Sequence, residues 1–224
     1  MIDHNYVVRE NCSGLQVEGL SKTWGAIPVF SDISFAQPPG TIFGVEGDNG
    51  AGKSTLLKIL ASVLSRDAGQ VFFQGTNLDN LSQWRKLIGY VPQELALDER
   101  LTVRENIRFW TALRGLEQRE VRRILLTATE DRLVSDFLDK PIRECSGGMA
   151  RRASLVIGLL TSPQLLLLDE PFSGADQDSR VIMLERLDSL RSQGSTILIA
   201  SHDHDILMQI CDHTFRLQRG TPVV

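Results

Sequence analysis

The chain is poor in cysteine, and the cysteines that it has are widely spaced. Cys12, Cys145 and Cys211 are its three cysteines in 224 residues, and no two of them form a Cys-x-x-Cys pair. This usage argues against both a disulfide framework and a zinc site. It is typical of a reducing compartment, so we expect a cytoplasmic protein.

Long apolar runs are also missing. The longest apolar stretch, LVIGLLTSPQLLLLD from Leu155, is interrupted by Thr-Ser-Pro-Gln and falls short of the roughly 18 uninterrupted residues of a membrane-spanning helix. The opening residues, MIDHNYVVRE, are charged where a signal peptide has its apolar core. We therefore expect neither an export signal nor a membrane-spanning segment.

An excess of positive charge is the third absence. The 24 Lys and Arg residues are outnumbered by 28 Asp and Glu residues, which gives a net charge of -4. Without a basic field, nucleic acid is not an expected partner. The content of 42% hydrophobic and 23% charged residues is typical of a globular protein with one large domain, and we find no internal repeat or long linker.

Short apolar runs between turn residues predict a β-rich first part. LQVEGL, VFSDISF and TIFGVEG, within residues 15–46, predict strands of a small sheet. After Gly52, STLLKILASVL has apolar residues at helical spacing through Val63 and Leu64, and AGQVFFQG predicts another strand. Sheet and helix therefore begin to alternate at this point.

The second half of the chain predicts an α/β fold. Residues from about 101 to 138 have helical spacing and many charges, which indicates a helical insertion. The apolar strands LLLLDE and STILIASH follow, with the helix RVIMLERLDSLRSQG between them and Gly194 as its stop. Continuous apolar strands separated by helices predict a parallel sheet covered on both faces.

The segment GDNGAGKST matches the phosphate-binding loop pattern G-x-x-x-x-G-K-[ST]. Its glycines let backbone amides surround an anion, and the following helix points its positive end at the phosphates. A plain glycine-rich turn is the alternative, but the predicted strand before it and the helix after it are the context that the motif requires. The predicted nucleotide-binding residues are Gly47, Asp48, Asn49, Gly50, Ala51, Gly52, Lys53, Ser54 and Thr55. Lys53 is predicted to reach the β and γ phosphates, and Ser54 to hold Mg²⁺.

Acidic residues end the strand LLLLDE. Ligands of parallel sheets lie beyond the carboxyl ends of the strands, where Asp169 and Glu170 fall. Neighbouring strand residues point to opposite sides, so Asp169 can serve Mg²⁺ while Glu170 faces an attacking water. A solvated strand end is the alternative for this pair taken alone. His202 follows STILIASH by the same logic and could contact a γ-phosphate, or it could cap the strand; a metal site at His202-Asp203-His204 has no recognisable third ligand.

CSGGMARR, from Cys145 to Arg152, precedes an apolar run of helical spacing. Exposed glycine amides, a hydroxyl and a helix dipole make a second anion site. An ordinary helix N-cap at Ser146 explains the same residues, and the local sequence leaves both interpretations open.

Taken in order, GDNGAGKST, YVPQ, CSGGM, LLLLDE, SGAD and His202 resemble the nucleotide-binding domain of ABC transporters from about residue 15 onward. The resemblance implies an α/β fold of the P-loop NTPase type: a mixed β core with a parallel sheet, an N-terminal antiparallel β subdomain and an inserted α-helical subdomain. It divides the chain into an N-terminal extension, residues 1–14, and an ABC ATPase domain, residues 15–224, with the helical subdomain at about 94–160.

The resemblance also implies the activity. It predicts a Mg²⁺-dependent ATPase that energises transport through a separate transmembrane permease, peripheral on the cytoplasmic face of the cell membrane. The domains would act as a head-to-tail homodimer or pseudo-symmetric dimer, in which the signature residues of one subunit close on the nucleotide held by the other. The signature residues here are Ser146, Gly147, Gly148 and Met149.

Roles of single residues follow from the same resemblance. Trp24 matches the aromatic that stacks on adenine, Gln93 the Mg²⁺ and water ligand, Glu170 the catalytic base, Asp176 the loop that links the two sites, and His202 the switch histidine at the γ-phosphate. The predicted catalytic set is Lys53, Gln93, Glu170 and His202, and the predicted metal set is Ser54, Gln93 and Asp169.

The signature departs from the usual LSGGQ. Cys145 and Met149 replace its first and last residues, and Ala175 stands where the linking loop commonly has leucine. SGGM followed by basic residues, with LTVREN and ALRGL, resembles the branch that exports drugs, lipids or polysaccharides; heme export fits the length equally. The alternatives are a soluble ABC ATPase of translation or DNA repair, or a low-activity regulatory subunit with an altered signature.

Overall fold

The computed structural model describes residues 13–218 and the backbone of residues 221–222. The predicted N-terminal extension, residues 1–14, therefore lies outside the described residues except for its last two positions. The strands are β1 Leu15–Trp24, β2 Ile27–Gln37, β3 Ile42–Glu46, β4 Ala68–Phe73, β5 Thr76–Asn77, β6 Ile88–Val91, β7 Leu165–Asp169, β8 Thr196–Ser201, β9 His213–Gln218 and β10 Thr221–Pro222. The helices are α1 Lys53–Leu60, α2 Leu81–Leu87, α3 Val103–Leu113, α4 Gln118–Glu130, α5 Gly147–Leu159, α6 Gln177–Ser192 and α7 His204–Ile210.

The strands form two sheets within the described residues. One is antiparallel, with the order β2-β1-β4-β5, and the other has the order β10-β9-β3-β8-β7-β6. In the second sheet β9, β3, β8, β7 and β6 run parallel. The α/β class, with an N-terminal antiparallel sheet and a parallel sheet, is confirmed.

The sequence interpretation placed TIFGVEG in the small N-terminal sheet, and this was wrong. β3 instead pairs in parallel with β8 and β9. The physical reason is its uninterrupted burial: Ile42 to Val45 are all buried, whereas buried positions recur along β1 only at intervals. A strand that is buried on both faces belongs inside a covered parallel sheet.

The parallel sheet separates two apolar cores, because successive side chains of each strand point to opposite faces. One core contains Leu166, Leu168, Ile197 and Ile199 together with residues of α3, α5, α6 and α7. The other contains Leu165, Leu167, Leu198 and Ala200 together with residues of β1, β2 and α1. The covered parallel sheet predicted from LLLLDE and STILIASH therefore places the ends of β7 and β8 side by side.

Helix α1 ends earlier than its apolar spacing predicts. The helix stops at Leu60, Ser62 adopts a left-handed conformation with φ 58°, and Val63 is 67% exposed. The indole Nε1 of Trp84 donates to the Leu60 carbonyl at 2.7 Å, so a tertiary contact takes up a carbonyl that the helix leaves unpaired at its end. Val63 lies beyond the end of the helix, on the surface.

The helical insertion predicted at about residues 101–138 is present as α3 and α4, between β6 and β7, and α5 follows it. Its boundaries at about 94–160, and its status as a subdomain, remain predictions. Thr102 and Glu105 form a capping box at the start of α3. The buried Asn106 side chain ties the preceding loop to this helix, since it donates to the Asp98 carbonyl and accepts from the Asp98 N–H.

Candidate active site

The phosphate-binding loop runs from the end of β3 to the start of α1. Gly52 has φ 105°, and a Cβ at this position would lie 2.8 Å from the Val29 side chain, so both the conformation and the packing require glycine. Gly47 is buried, and a Cβ there would lie 2.5 Å from the Leu217 carbonyl. The loop therefore has the tight backbone path that a phosphate cradle needs.

Lys53 links this loop to the acidic strand end. Its side chain is only 6% exposed, and Nζ donates to the Gly47 carbonyl at 2.7 Å. The same Nζ lies 3.5 Å from Oε1 of Glu170. A buried ammonium group is thus held between the loop and the carboxylate.

Asp169 and Ser54 offer a set of oxygen ligands. Asp169 is the last residue of β7 and is 1% exposed, and its Oδ1 accepts from the Ser54 hydroxyl at 3.0 Å. Its Oδ2 is buried and has no hydrogen-bond partner among the described residues. Burial raises the pKa of this carboxyl, and the Ser54 hydrogen bond opposes the rise. An unpaired carboxylate oxygen beside a hydroxyl fits Mg²⁺, which prefers hard oxygen ligands.

Glu170 follows β7 with a left-handed φ of 49° and is 5% exposed. Its N–H donates to the Ala200 carbonyl at 2.8 Å, which continues the pairing of β7 with β8. Its Oε1 faces His202, with Nδ1 at 2.9 Å, and its Oε2 accepts from the Ser201 hydroxyl at 3.1 Å. The two acidic residues therefore face different partners, but the reason differs from the predicted strand alternation, because Glu170 lies beyond the end of β7 in a left-handed conformation.

The residues of His202-Asp203-His204 have separate partners. His202 contacts Glu170, while Nδ1 of His204 lies 3.3 Å from a carboxylate oxygen of Glu46. Asp203 caps α7 through the N–H of Ile206. His202 is thus the member of this group that lies at the acidic strand end.

A cleft of about 250 Å³ joins most of the predicted site residues. It is lined by Trp24, Asp48, Asn49, Gly50, Gly52, Lys53, Ser54, Thr55, Gln93 and Glu170, together with residues of β2. Trp24 is 55% exposed at the end of β1, and the Lys22 ammonium lies over its ring at 5.3 Å from the centroid. Asp67 steadies this edge, since it accepts from the Lys22 side chain at 2.8 Å and the Thr23 N–H at 2.7 Å.

The signature residues lie elsewhere, at the start of α5. Ser146 is the N-cap, and its hydroxyl accepts from the Met149 N–H at 3.2 Å. A Cβ on Gly148 would lie 2.7 Å from a carboxylate oxygen of Asp176, which itself caps α6. Among the described residues, Ser146 to Met149 and Asp176 therefore group together and do not line the Trp24 cleft.

The departures in the signature are compatible with its packing. Cys145 and Met149 are both partly buried against the apolar core. Burial raises the pKa of the Cys145 thiol, whose Sγ lies 3.5 Å from the Pro141 carbonyl. Cys145 thus behaves as a small apolar residue at this position.

Two residues that contact segments of the site or lie near it were missed by sequence reasoning, and neither lines the Trp24 cleft. Arg151 donates to the Gln93 carbonyl at 2.6 Å and to the Ser173 carbonyl at 3.0 Å. The Tyr90 hydroxyl is buried without a hydrogen-bond partner among the described residues, and burial, with the negative charge of Asp169, raises its pKa. The only sequence signals for them were the basic residues after SGGM and the tyrosine of YVPQ.

Comparisons with known proteins identify the family. The model of the family described as ABC transporter matches residues 30–173. The Nod factor export ATP-binding protein I of Rhizobium etli is 34% identical over 212 residues, which are 94% of this chain and 67% of the relative. The uncharacterized ABC transporter ATP-binding protein YhaQ of Bacillus subtilis is 32% identical, over 94% of this chain and 70% of the relative. Against other Nod factor export ATP-binding proteins the chain spans as little as 62% of their length.

Solved structures agree with this result. The structure of an ATP binding subunit of an ABC transporter has a TM-score of 0.82 and 29% identity, over 94% of this chain and 88% of the other. CbiO1 of Clostridium perfringens, part of the ABC transporter complex CbiONQ, has a TM-score of 0.82 and 27% identity, over 94% and 86%. No helix in the described part of the chain has both the length and the apolar character to cross a membrane. The chain belongs to the ABC transporter family, and it is an ATP-binding and ATP-hydrolysing subunit of that family.

Proposed function

We propose that this subunit hydrolyses MgATP in the cleft between Trp24 and Glu170 and so drives export through a separate membrane-spanning permease. The observation that carries the proposal is the Glu170 carboxylate. It is 5% exposed, lies at the wall of the cleft, and has Lys53 and His202 beside the same oxygen. A carboxylate held in this way is suited to accept the proton of an attacking water.

The remaining cleft residues have roles that follow from their chemistry. The loop amides and Lys53 would bind the phosphates, and the exposed ring of Trp24 would stack on the adenine. Ser54 and Asp169, with the Gln93 side chain from the cleft wall, would hold Mg²⁺. The ion, when bound, neutralises phosphate charge. His202 would hold Oε1 of Glu170 in position through Nδ1.

The signature turn supports a head-to-tail dimer. Ser146 and Gly147 are exposed at the N-terminal end of α5, a helix of 13 residues. Helix N-termini bind anions through their free amides, and here the turn lies outside the cleft of its own subunit. A nucleotide held by a second subunit is the ligand that this exposed turn would complete.

A groove of about 900 Å³ supports docking of a permease. It lies between the end of α1, α2, β6, α3 and α5, and it combines apolar residues such as Val63 and Trp110 with the basic residues Arg85, Lys86 and Arg114. A short amphipathic segment with an acidic end fits this lining. The similarity of this chain to Nod factor export ATP-binding proteins favours export as the direction. We propose that the subunit works at the cytoplasmic face of the membrane.

Replacement of Glu170 by glutamine tests the hydrolytic site. We expect Glu170→Gln to bind ATP but to release phosphate about 10²-fold to 10⁴-fold more slowly than the parent, because the general base is lost. Size-exclusion chromatography with ATP should then show a trapped dimer. Glu185→Gln is the control, since Glu185 is exposed and pairs with Arg132 away from the cleft. Phosphate release at the parental rate would remove Glu170 from the role of base.

Purification from native membranes tests the permease. In mild detergent, we expect a multi-span protein to be recovered in stoichiometric amount. Val63→Asp should lose this partner because Val63, 67% exposed, lines the groove, whereas Leu126→Asp should keep it because Leu126, 69% exposed, lies on α4 and does not line it. Recovery with ribosomes or soluble proteins alone would instead favour a soluble ABC ATPase.

A further inference from the structure

We propose that Arg151 is a positioning residue of the ATPase site, which fixes the backbone at Gln93 and at Ser173 relative to the first turns of α5. The proposal rests on the proposed function, because it assigns a role in the same hydrolytic site. Arg151 itself does not line the cleft among the described residues. It acts on the segments that carry the cleft residues.

The guanidinium group of Arg151 donates hydrogen bonds to two separate backbone segments. Nη1 of Arg151 donates to the Gln93 carbonyl at 2.6 Å, and Nε donates to the Ser173 carbonyl at 3.0 Å. The two carbonyls are 58 and 22 residues away from Arg151 in the sequence. The rigid, planar guanidinium group fixes the direction of both hydrogen bonds at once, which a flexible ammonium group does not.

Each of the two segments that accept a hydrogen bond from Arg151 carries a residue of the site. Gln93 itself lines the cleft. The Ser173 N–H donates to the Glu170 carbonyl at 3.2 Å, so Ser173 belongs to the turn that follows the proposed base. Glu170 is also strained at φ 49°, and such a conformation persists only where the surroundings hold it. Arg151 supplies one of these constraints.

The charge of Arg151 interacts favourably with the acidic strand end. Burial lowers the pKa of Arg151, and the carboxylates of Asp169 and Glu170 oppose that effect. The neighbouring Arg152 has a different role. It stacks on Phe137 at 4.8 Å and donates to the Arg132 carbonyl at 3.2 Å, inside the helical region.

Loss of the two Arg151 hydrogen bonds should therefore affect the chemical step more than ATP binding. The loop at residues 47–55 and Trp24 do not depend on Arg151 for any hydrogen bond in the described residues. Gln93 and the turn after Glu170 would still be present, but the distance between them would no longer be fixed. Small errors of position between reacting groups reduce the rate steeply.

The test compares two substitutions with a matched control. Arg151→Met keeps the length of the side chain and removes both hydrogen bonds, and Arg151→Lys keeps the charge but not the planar fork. Arg132→Met is the control, since Arg132 is 71% exposed and its side chain pairs with Glu185. We expect Arg151→Met to lower kcat about tenfold to a hundredfold with KM and ATP affinity within about threefold of the parent, and Arg151→Lys to recover only part of the loss. Parental kcat in Arg151→Met, or full recovery by lysine, overturns the proposal.

A second measurement does not need turnover. Without nucleotide, amide hydrogen exchange at residues 93–97 and 171–175 should be faster in Arg151→Met than in the parent, at both segments, and unchanged in Arg132→Met. An exchange rate equal to that of the parent at either segment would overturn the proposed role of Arg151. Failure of Glu170→Gln to slow phosphate release would count against the proposed base, whereas this exchange result decides on Arg151 by itself.

Discussion

Nδ1 of His202 lies 2.9 Å from Oε1 of Glu170, and the His202 backbone N–H donates to the same oxygen at 3.0 Å. The Ser201 hydroxyl donates to the other carboxylate oxygen at 3.1 Å. Glu170 follows β7, and Ser201 is the last residue of β8. The carboxylate is therefore held by the end of the neighbouring strand, and its position depends on the register of two parallel strands.

Removal of the imidazole should weaken this arrangement without destroying it. We expect His202→Ala to lower steady-state ATP turnover roughly tenfold to a hundredfold, because Oε1 loses one of its two partners from His202 and the carboxylate gains freedom. Nucleotide binding, measured with a fluorescent ATP analogue, should be kept. His204→Ala is the matched control, since His204 contacts Glu46 and not Glu170. Undiminished hydrolysis in His202→Ala would contradict the assignment.

Asp169 should reduce stability while it supports activity. Its burial raises the pKa, so the ionised form is disfavoured in the folded state. In the presence of EDTA we expect Asp169→Asn to melt at a higher temperature than the parent at neutral pH. A carboxyl whose pKa rises on folding destabilises the folded state increasingly as the pH rises above its unfolded pKa. The higher melting temperature of Asp169→Asn should therefore shrink toward that of the parent as the pH falls toward the unfolded value of 3.8.

The same substitution should abolish most activity. We expect turnover of Asp169→Asn with Mg²⁺ to fall at least about a hundredfold, because an amide is a weaker ligand than a carboxylate. Asp178→Asn is the control, since Asp178 is exposed in the first turn of α6. For the stability prediction, an Asp169→Asn variant that melts below the parent in EDTA at neutral pH would contradict the claim that burial of the ionised Asp169 destabilises the fold.

Sequence reasoning succeeded where a function depends on neighbouring residues. The phosphate-binding loop, the Asp169-Glu170 pair and His202 each follow an apolar strand, and a parallel sheet brings the ends of such strands to one edge. Their proximity in the structure follows from local patterns and from that one topological rule. Their roles as binding and catalytic residues remain predictions.

Sequence reasoning failed where a side chain contacts backbone that is distant in the sequence. Arg151 binds carbonyls 58 and 22 residues away, and any residue could supply those carbonyls, so no residue pattern marks them. The early end of α1 likewise coincides with a contact between distant residues, from the Trp84 indole to the Leu60 carbonyl. The local spacing of apolar residues contains no trace of either contact.

Gly148 should tolerate no side chain. A Cβ at this position would lie 2.4 Å from the Ser179 hydroxyl and 2.7 Å from Asp176, so α5 and α6 would have to separate. We expect Gly148→Ala to lower the free energy of unfolding by about 1–3 kcal/mol, as overpacking does. Urea unfolding measures the loss. The double variant Gly148→Ala/Ser179→Ala should lose less than the sum of the two single losses, and strict additivity would contradict the contact.

Tyr90 should be replaceable by phenylalanine at no cost to stability. Its hydroxyl is buried with no hydrogen-bond partner among the described residues, and an unpaired buried polar group is unfavourable. We expect Tyr90→Phe to keep the free energy of unfolding or raise it by about 1 kcal/mol in urea unfolding. Trp84→Phe is the contrast: its indole N–H is paired with the Leu60 carbonyl, so its removal should be destabilising. A loss of more than about 1 kcal/mol in Tyr90→Phe would contradict the absence of a hydrogen-bond partner for this hydroxyl.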